Sequence, residues 1–294
     1  MASFFQKWFG GHAAPPPHLT GAIGDLANLA RDRPALQNTC LVLQLLLVEL
    51  FSELPADAPP LISVESAQAR WSAGIPLLRD TPLSLDETSF RRRWLAVCAI
   101  LQQQEPELLA DAILKKALEP IALVSEVLAG RLESVAIKAE AIGVDAEQLA
   151  TVLRLTALPV LAKFADALAD LRSGVRWDYG YCPTCGSWPL LAESRGLEQL
   201  RYLRCGLCAT AWEGARFRCL YCANEDHRSL GYFHVEGEED RCRAASCDEC
   251  HGYVKVISTL SALSAPQLLV TDLATLHLDL VAADRGFFVP TANV

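Results

Sequence analysis

The sequence of 294 residues lacks the short motifs that mark several large enzyme classes. It has no glycine-rich phosphate loop after a predicted strand, no Gly-x-Ser-x-Gly and no His-Glu-x-x-His. It also offers no convincing pairing of a cysteine nucleophile with a histidine base. These absences point away from a conventional enzyme.

Positive charge is scarce. Lys and Arg number 26 against 35 Asp and Glu, which gives a net charge of −9. Nucleic-acid backbones are neutralised by clustered Lys and Arg, so this balance opposes nucleic acid as the main partner. A local group of arginines is the exception; its usual meaning is a solvated face, and a nucleic-acid surface is the alternative. The group consists of Arg195, Arg201, Arg204, Arg216 and Arg218.

Long apolar runs are missing as well. The longest strongly apolar stretch, residues 40–51, contains Gln44 and Glu49 and is shorter than the about 20 residues that span a bilayer. The N-terminus has no basic segment followed by an uninterrupted apolar one, and three prolines at 15–17 would break a helix there. We therefore predict a cytoplasmic protein without membrane insertion, in which cysteine thiols stay reduced.

Helical periodicity dominates the first part of the chain. Apolar faces such as the one begun by Leu41, Val42, Leu45 and Leu46 recur, and Ala, Leu, Glu and Gln are abundant. After a leader at 1–18, which Gly and Pro make flexible, residues 19–174 are predicted to form a helical domain. We expect six or seven helices packed as a bundle.

At residue 174 the composition becomes aromatic, and short alternating runs at 199–204, 230–235 and 253–257 predict strands. Helical spacing returns after Pro266. The predicted fold is a mostly α N-terminal bundle, then two small rubredoxin- or zinc-ribbon-like β modules, then a C-terminal helix. The predicted bounds are 175–215 for the first module, 216–258 for the second and 259–294 for the C-terminal helical segment.

Cysteine is concentrated in the two β modules. Eight of the 11 cysteines form four Cys-x-x-Cys pairs, spaced as C-x2-C-x19-C-x2-C and C-x2-C-x24-C-x2-C. This spacing lets two thiolates on one tight turn ligate the same ion, and two such turns complete a tetrahedral site. Sequential pairing closes the shorter loops. The predicted metal ligands are Cys182, Cys185, Cys205 and Cys208 in the first site, and Cys219, Cys222, Cys247 and Cys250 in the second.

The spacing does not choose the metal. An all-sulfur tetrahedral site suits zinc or mononuclear rubredoxin-type iron, and Fe–S clusters are a weaker alternative. With four cysteines per ion, His227, His234 and His251 are interpreted as surface or neighbouring residues, and Cys242 as a loop cysteine without an assigned role. Cys40 and Cys98 lie on apolar helical faces, where core packing is expected.

The sequence resembles the FdhE family of formate dehydrogenase accessory proteins over nearly its whole length. Four stretches are specific: Tyr-Cys-Pro-Thr-Cys-Gly-Ser-Trp-Pro at 181–189, Arg-Cys-Leu-Tyr-Cys at 218–222, Ala-Ser-Cys-Asp-Glu-Cys-His-Gly-Tyr-Val-Lys at 245–255 and Thr-Asp-Leu-Ala-Thr-Leu-His-Leu-Asp at 271–279. The resemblance implies a cytoplasmic maturation factor that binds the catalytic subunit of respiratory formate dehydrogenase before export. It also implies two iron ions of rubredoxin type, each held by one set of four cysteines, with zinc as the alternative occupant.

Three functions therefore compete. The first is this maturation factor, for which an aromatic surface including Trp177, Trp188 and Trp212 would hold the partner. The second is a zinc-ribbon protein that binds nucleic acid, and the third is a rubredoxin-type electron carrier. The sequence leaves the metal, its redox role, the partner-binding surface and the oligomeric state open.

Overall fold

The computed structural model describes residues 15–104, 118–172, 174 and 176–290. The N-terminal part of this range is helical, and the part of the predicted leader at 1–14 lies outside it. Short 3-10 turns at Pro17–Leu19 and Pro34–Leu36 accompany the helices. The helices are α1 (Thr20–Asp32), α2 (Gln37–Phe51), α3 (Val64–Ser72), α4 (Glu87–Gln104), α5 (Pro120–Leu128), α6 (Leu132–Ile142), α7 (Ala146–Ala167) and α8 (Ala169–Arg172).

Helix α7 forms the centre of the helical domain. It begins at Asp145, whose side chain accepts hydrogen bonds from the backbone N–H groups of Glu147 and Gln148, and most of its residues are buried. Helices α2 and α4 pack against it. The stretches Pro34–Phe51 and Ala146–Ala167 are long and apolar enough to cross a membrane, but 67% of the second is buried within the protein. Core helices give the same signal, so it is weak evidence for a membrane span.

The second part of the chain forms one six-stranded sheet. Its order is β3-β2-β1-β6-β5-β4, in which every pair is antiparallel except β1 and β6. Each half of the sheet is one three-stranded module with a four-cysteine cluster. The strands are β1 (Pro189–Arg195), β2 (Leu200–Cys205), β3 (Ala211–Glu213), β4 (Leu230–Phe233), β5 (Cys242–Cys247) and β6 (Tyr253–Thr259).

The predicted fold class, a helical bundle followed by two small β modules and a terminal helical segment, is confirmed. The sequence did not predict that β1 and β6 pair in parallel, with Ala192 opposite Val256 and Arg195 opposite Thr259. This pairing joins the two modules through their backbones. The core is also shared, because helical residues such as Phe164 and module residues such as Leu203 belong to one cluster of buried side chains.

Two C-terminal helices pack on the sheet and on the helical domain. Helix α9 (Ala265–Ala274) begins with a capping box of Ser264 and Gln267 and contacts α1, and α10 (Leu276–Asp284) contacts β5. The buried Lys255 of β6 binds them to the sheet. Its Nζ lies 2.6 Å from an oxygen of Asp272 and 2.7 Å from one of Asp279.

A buried carboxylate organises the first module. Glu193 of β1 has no exposed surface, forms ion pairs with Arg195 and Arg204, and accepts a hydrogen bond of 3.0 Å from the backbone N–H of Leu263. Arg204 also donates to the carbonyl oxygen of Leu263 over 2.7 Å. The interpretation of the arginine group as a solvated face is therefore wrong for Arg204, which is buried and neutralised within the protein.

Candidate metal centres

Four similar tight turns carry the cysteine pairs. In each turn the residue after the second cysteine has a left-handed backbone, with φ of 85° at Gly186, 56° at Ala209, 59° at Ala223 and 55° at His251. The backbone N–H of each of the first three donates to the carbonyl of the first cysteine in its pair, over 2.9 to 3.1 Å. Left-handed backbone favours glycine, which stands at the first of these positions, whereas the alanines and the histidine adopt it despite their Cβ atoms.

The first cluster is fully enclosed. Cys182, Cys185, Cys205 and Cys208 are all buried, and their sulfurs lie within 4.8 Å of one another. The Sγ atoms of Cys182 and Cys208 are 3.6 Å apart, and those of Cys185 and Cys205 are 3.3 Å apart. These separations exceed the about 2.05 Å of a disulfide bond. The four cysteines are therefore free thiols gathered around one point.

Backbone N–H groups are directed at these sulfurs. Cys182 Sγ accepts from Thr184 N over 3.4 Å, and Cys205 Sγ accepts from Leu207 N over 3.3 Å. Burial acts to raise the pKa of Cys182, but hydrogen bonds from the other three cysteines outweigh it and hold that pKa well below the usual thiol value. Burial raises the pKa of Cys185 and Cys205. The surroundings thus favour the thiolate at Cys182, whereas burial opposes it at Cys185 and Cys205.

The helical domain holds the first cysteine turn in place. The carbonyl of Pro183 accepts hydrogen bonds from Trp71 Nε1 over 3.1 Å and from Leu77 N over 3.0 Å. The carbonyl of Thr184 accepts from Leu78 N over 2.7 Å. The two residues between Cys182 and Cys185 are therefore bound to α3 and to the chain segment that follows it. The sequence pattern does not predict these contacts, because the spacing of the helical residues is unrelated to that of the cysteines.

The second cluster is open to solvent on one side. Cys219 and Cys247 are buried, Cys250 is half-buried and Cys222 is exposed. The Sγ atoms of Cys219 and Cys250 are 3.6 Å apart, and those of Cys222 and Cys247 are 3.8 Å apart. Desolvation acts to raise the pKa of Cys247. Hydrogen bonds from the backbone of Cys250 and the side chain of Asn224 outweigh it and lower the pKa to about 7.

Both clusters fit a tetrahedral four-sulfur metal site. With metal–sulfur bonds of about 2.3 Å, neighbouring sulfurs of a regular tetrahedron are about 3.8 Å apart. The four separations given above lie between 3.3 and 3.8 Å. Sequential pairs of cysteines come together, as the shorter loops favour. The clusters can hold metal ions, and the donor set suits zinc and iron equally.

The remaining predicted residues lie elsewhere. His227, His234 and His251 belong to neither four-cysteine cluster among the described residues, and Cys40 and Cys98 are buried in the helical core. Burial raises the pKa of Cys98 to about 12.

The interpretation of Cys242 as a loop residue is wrong. It is the first residue of β5 and is buried, and its Sγ lies 3.4 Å from Glu238 Oε2. Glu238 also contacts His277 over 2.7 Å and Arg33 over 3.2 Å. The thiol therefore belongs to a polar cluster between the second module, α1 and α10.

The three tryptophans do not form an outward-facing surface. Trp177 and Trp212 are buried and Trp188 is half-buried. All three line a cavity of about 930 Å³ between the helical domain and the two modules. The expected aromatic surface therefore lines this cavity and does not face outward.

The difference in exposure predicts two rates of metal loss. A chelator reaches the second cluster at Cys222, whereas the first is enclosed by the helical domain and the sheet. We expect metal release from the loaded protein in excess chelator to be biphasic, with one equivalent lost at least about tenfold faster than the other. Absorbance of a chromogenic chelator measures both phases. Cys219→Ser with Cys222→Ser should remove the fast phase alone, and a single phase in the unmodified protein would contradict the prediction.

Comparison with known proteins identifies similar chains. Family models described as the FdhE central domain and the FdhE C-terminal domain match residues 181–216 and 217–294. A protein named an FdhE homolog from Aquifex aeolicus is 34% identical over 155 residues, which are 51% of this chain and 53% of that protein. Another, from Stutzerimonas stutzeri, is 42% identical over 123 residues, which are 41% of this chain and 39% of that protein.

The matched sequence thus spans about half the length, or less, of these curated relatives. Similarity in structure extends further. The crystal structure of the FdhE protein from Pseudomonas aeruginosa matches 95% of this chain and 96% of that one, with a TM-score of 0.62 and 25% sequence identity. The helical domain, which lies outside the residues that these two family models match, is therefore included in a shared fold.

Proposed function

The chain belongs to the FdhE family, and on that premise we propose that it is a non-catalytic accessory factor required for active respiratory formate dehydrogenase. In this proposal it acts in the cytoplasm and binds the catalytic subunit before that subunit is exported. Each four-cysteine cluster binds one metal ion.

The two four-sulfur clusters carry the proposal. Four protein ligands saturate a tetrahedral ion, so neither cluster leaves a coordination position for a substrate. Their part in binding a partner is to fix the protein's own surfaces. The first cluster holds the turn of Pro183 and Thr184 against the helical domain, and the second holds the turn of Leu220 and Tyr221 beside the cavity.

Iron is the occupant that the family resemblance favours, and zinc fits the same ligands. A bound iron ion would supply a one-electron couple, whereas zinc would supply only structural stability. The chain's contribution is the same in both cases: N–H groups such as those of Thr184 and Leu207 stabilise charge on the ligating sulfurs. Metal analysis and visible absorption of protein purified without added metal distinguish the two.

Complementation tests the proposed function. In cells from which this chain has been deleted, we expect formate dehydrogenase activity to be lost and to return with the unmodified chain. Cys182→Ser with Cys185→Ser should not restore it, because the enclosed cluster holds the protein together. Cys40→Ala is the matched control, since it removes a buried cysteine outside both clusters and should restore activity. Full activity in the deleted cells would refute the proposal.

The exposed cluster supports one alternative, a rubredoxin-type electron carrier. Cys222 is exposed, so a redox partner could approach the second ion closely. Reversible, iron-dependent bleaching of a visible band with turnover against an electron donor would favour this function. A colourless zinc protein that still complements the deletion would exclude it.

A further inference from the structure

The cavity of about 930 Å³ lies where the helical domain and both modules meet. Its walls include Trp71 and Arg172 of the helical domain, Leu203 and Trp212 of the first module, and Cys219 of the second metal cluster. A molecule bound here would contact all three parts of the protein and one metal ligand. Neither the fold nor the metal sites explain why so large a space is kept open.

The cavity wall is positive in a chain whose net charge is −9. Within the described part of the protein, four arginines line it against two carboxylates, and one of these, Asp178, already pairs with Arg176 over 2.8 Å. Arg201 Nε and Trp212 Nε1 are buried donors with no hydrogen-bond partner among the described residues. Such a wall has donors in excess and favours an occupant rich in negative charge and acceptor oxygens. The arginines are Arg172, Arg176, Arg201 and Arg218.

Aromatic rings form a continuous row along the same wall. Ring centroids are 5.1 Å apart between Tyr179 and Tyr181, 6.0 Å between Tyr181 and Trp188, and 5.0 Å between Trp188 and Tyr221. Trp177 packs on the first of these rings at 4.9 Å. Aromatic and arginine side chains are the residues that contribute most to binding at protein interfaces.

An unpaired strand edge borders the cavity. Strand β3 lies at the edge of the sheet, and Cys205 pairs with Thr210 and Gly214 with Arg201 through backbone hydrogen bonds. In this register the backbone N–H and C=O groups of Ala211 and Glu213 point away from β2. No described residue pairs with them, and both residues line the cavity. Such an edge binds an extended peptide through main-chain hydrogen bonds, which a compact small molecule cannot match.

We propose that this cavity binds an extended acidic segment of the partner protein, which adds a strand to the outer edge of β3 and contacts the arginines with its carboxylates. This inference rests on the proposed function, because it takes the catalytic subunit of formate dehydrogenase as the partner. It adds the binding surface and the chemistry of the bound segment. The segment lies beside Cys219, so it is held next to the exposed metal cluster.

The test measures the affinity of the purified catalytic subunit for the full-length, metal-loaded chain. Arg176 and Arg218 are suitable for substitution because 86% and 37% of their side chains are exposed. Among the described residues, the ion pair of Arg218 is a 3.9 Å contact with Glu225. Arg176→Glu with Arg218→Glu should weaken binding by about tenfold or more and reduce its salt dependence. Arg31→Glu with Arg92→Glu is the matched control, with the same charge change on the exposed helical surface.

A second variant guards against a folding defect in the first. Replacing Tyr179, which is 45% exposed in the cavity wall, with a photo-crosslinking phenylalanine should join the chain to an acidic segment of the catalytic subunit. The cavity is not the binding surface if the crosslinks form to a basic segment or if the double arginine variant binds with unchanged affinity. Neither result contradicts the proposed function. If ATP or GTP binds saturably and abolishes this crosslink, the occupant of the cavity is a nucleotide and the proposal of a bound peptide is wrong. If the unmodified chain does not bind the subunit, both proposals are overturned.

Discussion

Replacing Cys182 and Cys185 together with serine is expected to unfold the first module and detach it from the helical domain. The apparent binding free energy of a structural zinc ion is about 10–16 kcal/mol, as large as the entire stability of a typical domain at about 5–15 kcal/mol. The same turn carries the carbonyl groups of Pro183 and Thr184, which accept hydrogen bonds from Trp71, Leu77 and Leu78. Losing the ion therefore removes both the module's centre and its contact with the helices.

Circular dichroism and metal analysis measure this outcome. We expect the double variant to retain at most one metal ion per chain and to lose its cooperative thermal transition. The matched variant, Cys219→Ser with Cys222→Ser, should keep the helical signal, because its cluster has no comparable hydrogen bonds to the helical domain among the described residues. If both variants lost the thermal transition to the same extent, burial and contacts with the helices would not make the first cluster more important for stability than the second.

Replacing Glu193 with alanine is the second change with a large expected effect. Glu193 has no exposed surface, and its removal leaves Arg204 buried without its carboxylate. Burial already lowers the pKa of Arg204, and the charge of Glu193 opposes that shift. Removing one member of a buried ion pair costs about 3–5 kcal/mol, and urea unfolding should show a loss of this size.

Two further variants test the cause of that loss. Glu198→Ala removes an exposed carboxylate from the turn between β1 and β2 and should change stability by less than about 0.5 kcal/mol. Glu193→Leu combined with Arg204→Leu removes both members of the more deeply buried ion pair and should recover part of the loss, because only the partly exposed Arg195 is then left without its carboxylate. A single Glu193→Ala variant as stable as the unmodified protein would mean that solvent reaches these arginines.

The sequence predicted those features that depend on local spacing. Each Cys-x-x-Cys turn is set by residues next to one another, so the grouping of the eight cysteines could be foreseen, and so could the strand at 253–257. The sequence at Pro189–Arg195, with its Leu, Ala and Glu, resembles a helix former more than a strand. It is a strand because β2 and β6 both pair with it. Strand β5 is similar, since Ala244 and Ala245 have little β propensity of their own.

Other features depend on contacts between distant parts of the chain. The burial of the first cluster is produced by residues about a hundred positions earlier, and nothing in the cysteine spacing distinguishes it from the exposed cluster. The tryptophans at 177 and 212 were expected on an outer surface because aromatic composition alone does not reveal which side of a strand faces the protein interior. The two modules looked separate for the same reason: the parallel pairing of β1 with β6 joins segments about 60 residues apart.

That parallel pairing has a consequence for the order of events on the ribosome. Strand β1 can pair with β2 as soon as the first module has been synthesised, but its other side has no partner until β6 emerges. In the interval the nascent chain presents an unpaired strand edge to its surroundings, and such edges associate with other chains. Early metal capture by the first cysteine set cannot shield this edge, since the cysteines lie in turns at the strand ends. Aggregation of truncated chains that end between β3 and β6 is thus a hazard specific to this architecture.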